Sequence, residues 1–317
     1  MPGRASFKVH SVLVTGATGF VGRAVSAEIE QRGWGLRRVS RAGSDGSIAV
    51  GDITADTDWS DALAGCDAVV HLAARVHMMG RAEAEDAAAF TATNRDATIR
   101  LAEDAARAGV KRLVFMSSVK VNGEGRASPY REGDPPAPVG AYANSKWEAE
   151  QGLAEVAART GLEVAIIRPP LVYGPRVKGN FRSLVTLVRR GVPLPLASVR
   201  NSRSFVGVTN LASAVAAALE HPAAAGRTYL VSDQNDLSVP DLIRAIARSA
   251  DVPARLMPFP PALLRFASAV AGRTQAFQQV AGSLTVESSA ISRELGWTPV
   301  RTVDEELAAT LAALKRS

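Results

Sequence analysis

The chain predicts an α/β fold: a doubly wound parallel sheet with helices on both faces, joined to a smaller, mostly helical region. Three observations carry this. An apolar run, Val12 to Val14, leads directly into a glycine-rich turn and then a helical pattern. Strand and helix patterns alternate from there to about residue 168. After Pro169 the alternation gives way to short, proline-punctuated elements.

Taken in order, Val12 to Val14 reads as a buried parallel strand. The turn Gly16-Ala17-Thr18-Gly19-Phe20-Val21-Gly22 follows, then a helix over Arg23 to Arg32 stopped by Gly33. Leu36 to Ser40 and Ile48 to Val50 are the second and third strands, and Asp67 to Leu72 is the fourth. An Ala-rich helix is expected over Glu83 to Ala108, a strand over Arg112 to Met116, a second long helix over Ala141 to Thr160 and a strand over Glu163 to Ile167. A further helix, Thr209 to Glu220, and strand, Arg227 to Val231, return to the sheet. Residues 1–170, with 204–231, then form a dinucleotide-binding domain, and 171–203 with 232–317 form a substrate-binding region. The stretch Ala262 to Val270 is amphipathic and reads as a core-facing or lid helix, with membrane contact as the alternative.

Composition excludes several classes. With 317 residues, 47% hydrophobic and 21% charged, this is an ordinary globular chain. Its longest apolar stretches are too short to span a bilayer, and Met1 to His10 is too polar for a secretory signal. A cytoplasmic location without membrane insertion is the expectation. One cysteine, Cys66, rules out an internal disulfide, and four scattered histidines give no metal spacing, so no metal is expected. The net charge of +6 could signal nucleic acid, but the basic residues read as dispersed and aromatics are only 5%. No nucleic-acid partner is expected; an anionic small substrate explains the charge as well.

Two stretches carry chemistry. Strand, glycine turn and helix are what a dinucleotide pyrophosphate needs. Gly16 permits the tight turn, Gly19 lets the backbone approach the phosphates, and Gly22 lets the helix pack close to the strand. Thr18, Phe20 and Val21 complete that cofactor segment. The spacing Gly-x-x-Gly-x-x-Gly, taken alone, also fits a plain tight turn. The second stretch is Tyr142-Ala143-Asn144-Ser145-Lys146. Tyr142 and Lys146 stand four apart at a helix start and share a face. An ammonium there is expected to lower the phenol pKa, so that Tyr142 can take a proton from an alcohol while hydride leaves the carbon. By itself the pair could equally lie on the surface. Met116-Ser117-Ser118 ends a strand twenty-four residues before Tyr142, and a hydroxyl there faces the ligand crevice.

The glycine triplet, Leu72-Ala73-Ala74, Asn94, Ser117-Ser118, Tyr142-x-x-x-Lys146 and Arg168-Pro169-Pro170-Leu171-Val172-Tyr173-Gly174-Pro175 occur in one order. In that order they resemble the extended short-chain dehydrogenase/reductase family, in its nucleotide-sugar epimerase/dehydratase group. The resemblance covers nearly the whole chain, to Trp297. It implies a Rossmann-like fold and Ser118, Tyr142 and Lys146 as the catalytic set. It implies cofactor contacts from Leu72, Ala73, Ala74, Asn94 and Ser117, from Asp52 and Ile53 beside the adenine, and from Pro169, Leu171 and Val172 beside the nicotinamide. For the substrate it implies an arginine-containing strand, Arg203 to Val206, with Arg203 on the diphosphate, and Asn180, Leu194 and Leu196 at the nucleotide; a surface salt bridge is the other reading of Arg203. His77 could reach the sugar or serve only in packing. The two long helices are expected to pair in a homodimer, as relatives imply.

Three departures refine the reading. Val119-Lys120 follow Ser118 where 4,6-dehydratases of the group carry an acidic pair, so dehydration is not expected. Ser40-Arg41 end the second strand where NAD-specific members often carry an acid, which tilts the choice between NAD and NADP toward NADP. Around Phe277-Gln278-Gln279 no arginine stands where UDP-galactose 4-epimerase-like members hold a second phosphate. The expected activity is hydride transfer at C4 of a nucleotide-sugar, a UDP-hexose or UDP-N-acetylhexosamine, as a 4-epimerase or a 4-ketoreductase. The string Ser118 to Glu124 looks most like bacterial O-antigen enzymes of the second kind. A reductase of non-sugar alcohols and a non-catalytic NAD(P)-binding sensor are the alternatives.

Overall fold

Seven parallel strands form the centre of the molecule, in the order β3-β2-β1-β4-β5-β6-β9. They are β1 Ser11–Thr15, β2 Gly35–Ser40, β3 Ile48–Ala49, β4 Ala68–His71, β5 Arg112–Met116, β6 Glu163–Arg168 and β9 Arg227–Leu230. The structure is a computed structural model, and it describes residues 8–43, 46–75, 83–260, 262–265 and 281–315.

Strand pleating divides the core in two. Val12, Val14, Val70, Val114 and Ile167 pack on one side against α1 (Phe20–Gln31) and α7 (Val208–Glu220). Leu13, Val69, Leu113, Phe115 and Val164 pack on the other against α4 (Ala97–Arg107) and α5 (Gly140–Thr160). Both faces are covered, which is why these strands read as unbroken apolar runs. A short helix, α2 (Ser60–Leu63), precedes β4.

Local chemistry sets the element ends. α1 starts at Phe20, three residues before its expected start, because extended Gly19 already serves as its N-cap. α5 ends at Gly161, left-handed at φ 77°. The expected uniform helix over 83–108 is three pieces: α3 (Glu83–Phe90), a π-helical stretch Thr91–Asp96, and α4. The π stretch carries Asn94, whose side chain has work elsewhere.

A third core, with Tyr173, Phe181, Val185, Ile243, Ile246 and Leu307, joins α6 (Gly179–Arg189), α8 (Val239–Ala250) and α10 (Val303–Lys315). α9 (Ser289–Leu295) lies between α8 and α10 in the chain. After Pro169 a pair of short strands forms, β7 (Leu171–Tyr173) parallel to β8 (Phe205–Gly207); β8 overlaps the stretch Arg203 to Val206 that the resemblance marks as a strand, whereas β7 was not expected from the sequence. Each has three residues, too few for a period-2 signal.

Candidate active site

Strand order reverses between β1 and β4, so a crevice opens at their C-terminal ends. The glycine turn lies on its floor. Gly16 has φ +68°, and a β-carbon on it would stand 2.9 Å from the Ala73 nitrogen. A β-carbon on Gly22 would stand 2.0 Å from the Gly16 carbonyl oxygen and 2.7 Å from the Ala17 α-carbon. Thr18 and Gly19 are exposed, and no side chain caps the α1 N-terminus. The turn therefore has the bare backbone and free helix N–H groups that a pyrophosphate requires, and it fits a dinucleotide. Phe20 is partly buried against the third core and Val21 against the first, so both anchor the helix start.

The wall beside the turn is tied down from behind. The Thr15 hydroxyl accepts hydrogen bonds from the backbone nitrogens of Leu72 and Ala73, each at 3.1 Å. Thr15 is 2.7 Å from His71 Nδ1, His71 Nε2 is 2.9 Å from the Thr98 hydroxyl, and Thr98 donates to the Asn94 carbonyl at 2.7 Å. His71 is fully buried. Burial, with the Lys146 charge adding to it, pushes its pKa down to about 3, so the imidazole is neutral. Nothing in the sequence singled out this relay, because a histidine inside an apolar strand carries no spacing signal.

Asn94 is 1% exposed and its side chain makes three hydrogen bonds. Its Oδ1 accepts from the Arg75 nitrogen at 2.8 Å, and its Nδ2 donates to the Arg75 carbonyl and to the Ser145 hydroxyl at 3.1 and 3.0 Å. Ser145 in turn donates to the Tyr142 carbonyl at 2.9 Å. Asn94 thus links the loop after β4, which carries Leu72, Ala73 and Ala74, to the first turns of α5. Ser145 stands between Tyr142 and Lys146 but carries no spacing signal of its own, since its tie to Asn94 is set by the fold.

Ser118, Tyr142 and Lys146 converge at the end of β5. Ser118 stands close enough to Tyr142 to pull its pKa downward, and its hydroxyl accepts from the Lys120 nitrogen at 3.2 Å. Lys146 is 2% exposed; its Nζ donates to the Met116 carbonyl at 2.8 Å and lies 4.5 Å from the Phe115 ring centre. Burial lowers its pKa to about 7, against the opposing pull of Glu150. The expected lowering of the Tyr142 pKa does not appear. Burial raises it, and only the Ser118 hydrogen bond works in the other direction. The ammonium is aimed at Met116, and at neutral pH it is only partly charged.

Behind Lys146 lies a buried ion pair. Arg168 Nε and Nη2 donate to the two Glu150 oxygens at 2.9 and 2.5 Å, and Nη1 donates to Asn122 Oδ1 at 3.1 Å. Ser117 also donates to Glu150, so its hydroxyl turns beneath α5. Pro169 accepts a hydrogen bond from the Val119 nitrogen at 3.0 Å, which holds the β5 and β6 ends together; exposed Leu171 and half-buried Val172 continue into β7.

At the second strand's end, Ser40 Oγ is 2.6 Å from Ser47 Oγ and accepts from the Gly43 nitrogen. Arg41 Nη1 lies 3.6 Å from an Asp52 carboxylate oxygen, both side chains being largely exposed, and Ile53 is half-buried beside them. Asp52 thus sets a carboxylate beside the Arg41 guanidinium. On the far side, Asn180 is exposed in the first turn of α6, while Leu194 and Leu196 pack on the third core. Arg203 is half-buried, and its Nη1 donates to the Gly282 carbonyl at 2.8 Å. His77 and the stretch around Phe277 lie outside the described residues, as does 266–270 of the amphipathic stretch. Among the described residues no group of three potential metal ligands occurs.

A glycine-turn cofactor crevice with serine, tyrosine and lysine at the adjoining strand end defines an extended short-chain dehydrogenase/reductase. The chain belongs to the NAD dependent epimerase/dehydratase family, which it matches over residues 12–232. It is an NAD-dependent enzyme with a nucleotide-sugar epimerase/dehydratase type of function. It is 38% identical to a UDP-glucose 4-epimerase of Vibrio cholerae over 311 residues, covering 96% of this chain and 95% of that one. It is 29% identical to an N-acetyl-alpha-D-glucosaminyl-diphospho-ditrans,octacis-undecaprenol 4-epimerase of Escherichia coli O157:H7, covering 80% of this chain and 77% of that one. Its fold superposes with a TM-score of 0.77 on MoeE5 in complex with UDP-glucuronic acid and NAD, at 25% identity, covering 96% of this chain and 99% of that one. The tilt toward NADP read from Ser40-Arg41 finds no support in these comparisons.

Proposed function

We propose that the protein interconverts the C4 epimers of a UDP-linked hexose or N-acetylhexosamine. The observation that carries this is the convergence of Ser118, Tyr142 and Lys146 beside the glycine turn, with no acid next to Ser118. Val119 and Lys120 follow Ser118 in place of the acidic pair of 4,6-dehydratases, and Lys120 is engaged by Glu124 at 2.7 Å. The name of the Vibrio cholerae relative supports the same reading.

NAD, when bound, supplies the acceptor and donor of hydride. Tyr142 takes the proton of the C4 hydroxyl and returns it. Ser118 hydrogen-bonds the reacting oxygen and aligns it with Tyr142. Lys146, fixed on the Met116 carbonyl, holds the cofactor ribose. Arg203 clamps the substrate diphosphate through its planar fork, with Asn180, Leu194 and Leu196 lining the nucleotide end. Residues 171–203 and 232–317 form the substrate-covering region. The enzyme works in the cytoplasm as a homodimer.

The Ser118 to Glu124 string favours a 4-ketoreductase as the second reading. Incubation of the NAD-loaded enzyme with UDP-glucose or UDP-N-acetylglucosamine separates the two. Epimer formation with no net change in nicotinamide absorbance is expected. Stoichiometric consumption of reduced cofactor with a UDP-4-keto-sugar, and no epimer from either substrate, would establish the reductase. Tighter binding of NADH than NADPH, unaltered in Arg41→Ala, is expected from the neighbouring Asp52.

A further inference from the structure

Charge is segregated along this chain. Residues 164–219 and 252–286 hold eleven of its 37 lysines and arginines and none of its 31 acidic residues. The remainder carries 26 basic and 31 acidic side chains, a net −5. The overall +6 therefore arises within these two segments, although pair by pair the basic residues look dispersed.

On one face the two segments meet. α6 buries Phe181, Val185 and Val188 and exposes Arg182, Leu187 and Arg189, with exposed Arg190 and Val192 following. Residues 254–257 run alongside. The Leu194 nitrogen donates to the Arg255 carbonyl at 2.9 Å, and the Met257 nitrogen donates to the Leu194 carbonyl at 2.9 Å. The Arg255 guanidinium lies over Gly191, 3.6 Å from where a β-carbon would stand. Beyond it, Met257, Phe259 and Leu263 are 48%, 39% and 53% exposed. The nearest acid in sequence is Asp251, at the end of α8.

We propose that this face docks the enzyme on an anionic bilayer surface. Arg182, Arg189, Arg190 and Arg255 meet headgroup phosphates, while Leu187, Val192, Met257, Phe259 and Leu263 enter the interfacial layer. Among the described residues no helix is long and apolar enough to cross a membrane, so the association is peripheral. A second copy of the chain is a poor occupant, since a two-fold contact would set these arginines against themselves. Nucleic acid is a poor one too, because among the described residues Phe259 is the one aromatic on the face and bases need a series of rings.

Co-sedimentation of the full chain with vesicles tests this. Vesicles of phosphatidylcholine with roughly one-third phosphatidylglycerol should bind it, vesicles of phosphatidylcholine alone should not, and salt should weaken the binding. The double variant Arg189→Gln, Arg190→Gln should lose about 30-fold in vesicle affinity, and Phe259→Ser should weaken it without abolishing it. Both variants should keep wild-type UDP-sugar turnover in solution, which reads the catalytic proposal separately. Absence of binding to anionic vesicles, equal binding to neutral ones, or wild-type binding by the double arginine variant would overturn the proposal. Self-association abolished by Phe259→Ser would assign the face to a second copy instead.

Discussion

Tyr142 and His71 show how far a residue's surroundings decide its chemistry. Without its phenol, Tyr142→Phe keeps the packing against Phe90 but has no proton acceptor, so kcat should fall about 10²- to 10⁴-fold. NAD binding, followed by fluorescence quenching, should change little; near-normal turnover would refute the assigned role. His71 makes a prediction about stability. Its folded pKa of about 3 lies below the ordinary 6.5, so between those values the unfolded chain binds more protons than the folded one. Stability should therefore be intact above pH 6.5 and decline as pH falls, by roughly 3 kcal/mol at pH 4 from this group alone. Urea unfolding across that range measures the decline, and His71→Asn should flatten it. Glu150 matters in the same way for Lys146. Its charge raises the Lys146 pKa, so Glu150→Gln should move the alkaline limb of the kcat profile to lower pH. An unmoved limb would show that the pair acts only in packing.

At the scale of elements, the glycine turn is legible because its constraint is local. Gly22→Ala would drive a β-carbon to 2.0 Å from the Gly16 carbonyl, a backbone atom that cannot swing aside. NAD binding should be lost and the melting temperature lowered, whereas Gly33→Ala, with open space around its β-carbon position, should leave NAD affinity intact. Calorimetric titration of the two variants with NAD makes the comparison. The long helix over 83–107 teaches the opposite. Its composition is helical throughout, yet Thr91–Asp96 adopts π geometry and Asn94 there reaches Arg75 and Ser145. Those partners lie 19 and 51 residues away in the chain, so no local pattern announces them. Strand β7 was also hidden, because a three-residue strand exists only through the hydrogen bonds of its partner.

For the whole molecule, the expected dimer rests on α4 and α5, already packed closely within one chain: a β-carbon on Gly152 would collide with Ile99. Light scattering should give a mass near twice the 33.3 kDa of the chain. Ala154→Arg, on the exposed side of α5, should shift it toward monomer; a monomeric wild type would count against the pairing.

The seven strands of the main sheet, the glycine turn and the spacing of Tyr142 and Lys146 after Ser118 stood in the sequence, because each is a pattern of near neighbours or of spacing along the chain. Only tertiary structure decided the rest. It buried Lys146 against Met116 and so left the Tyr142 pKa to desolvation. It set Asp52 beside Arg41. It joined Thr15, His71, Thr98 and Asn94 into one relay behind the crevice. Burial and pairing across tens of residues are properties of the packed chain, and no local pattern encodes them.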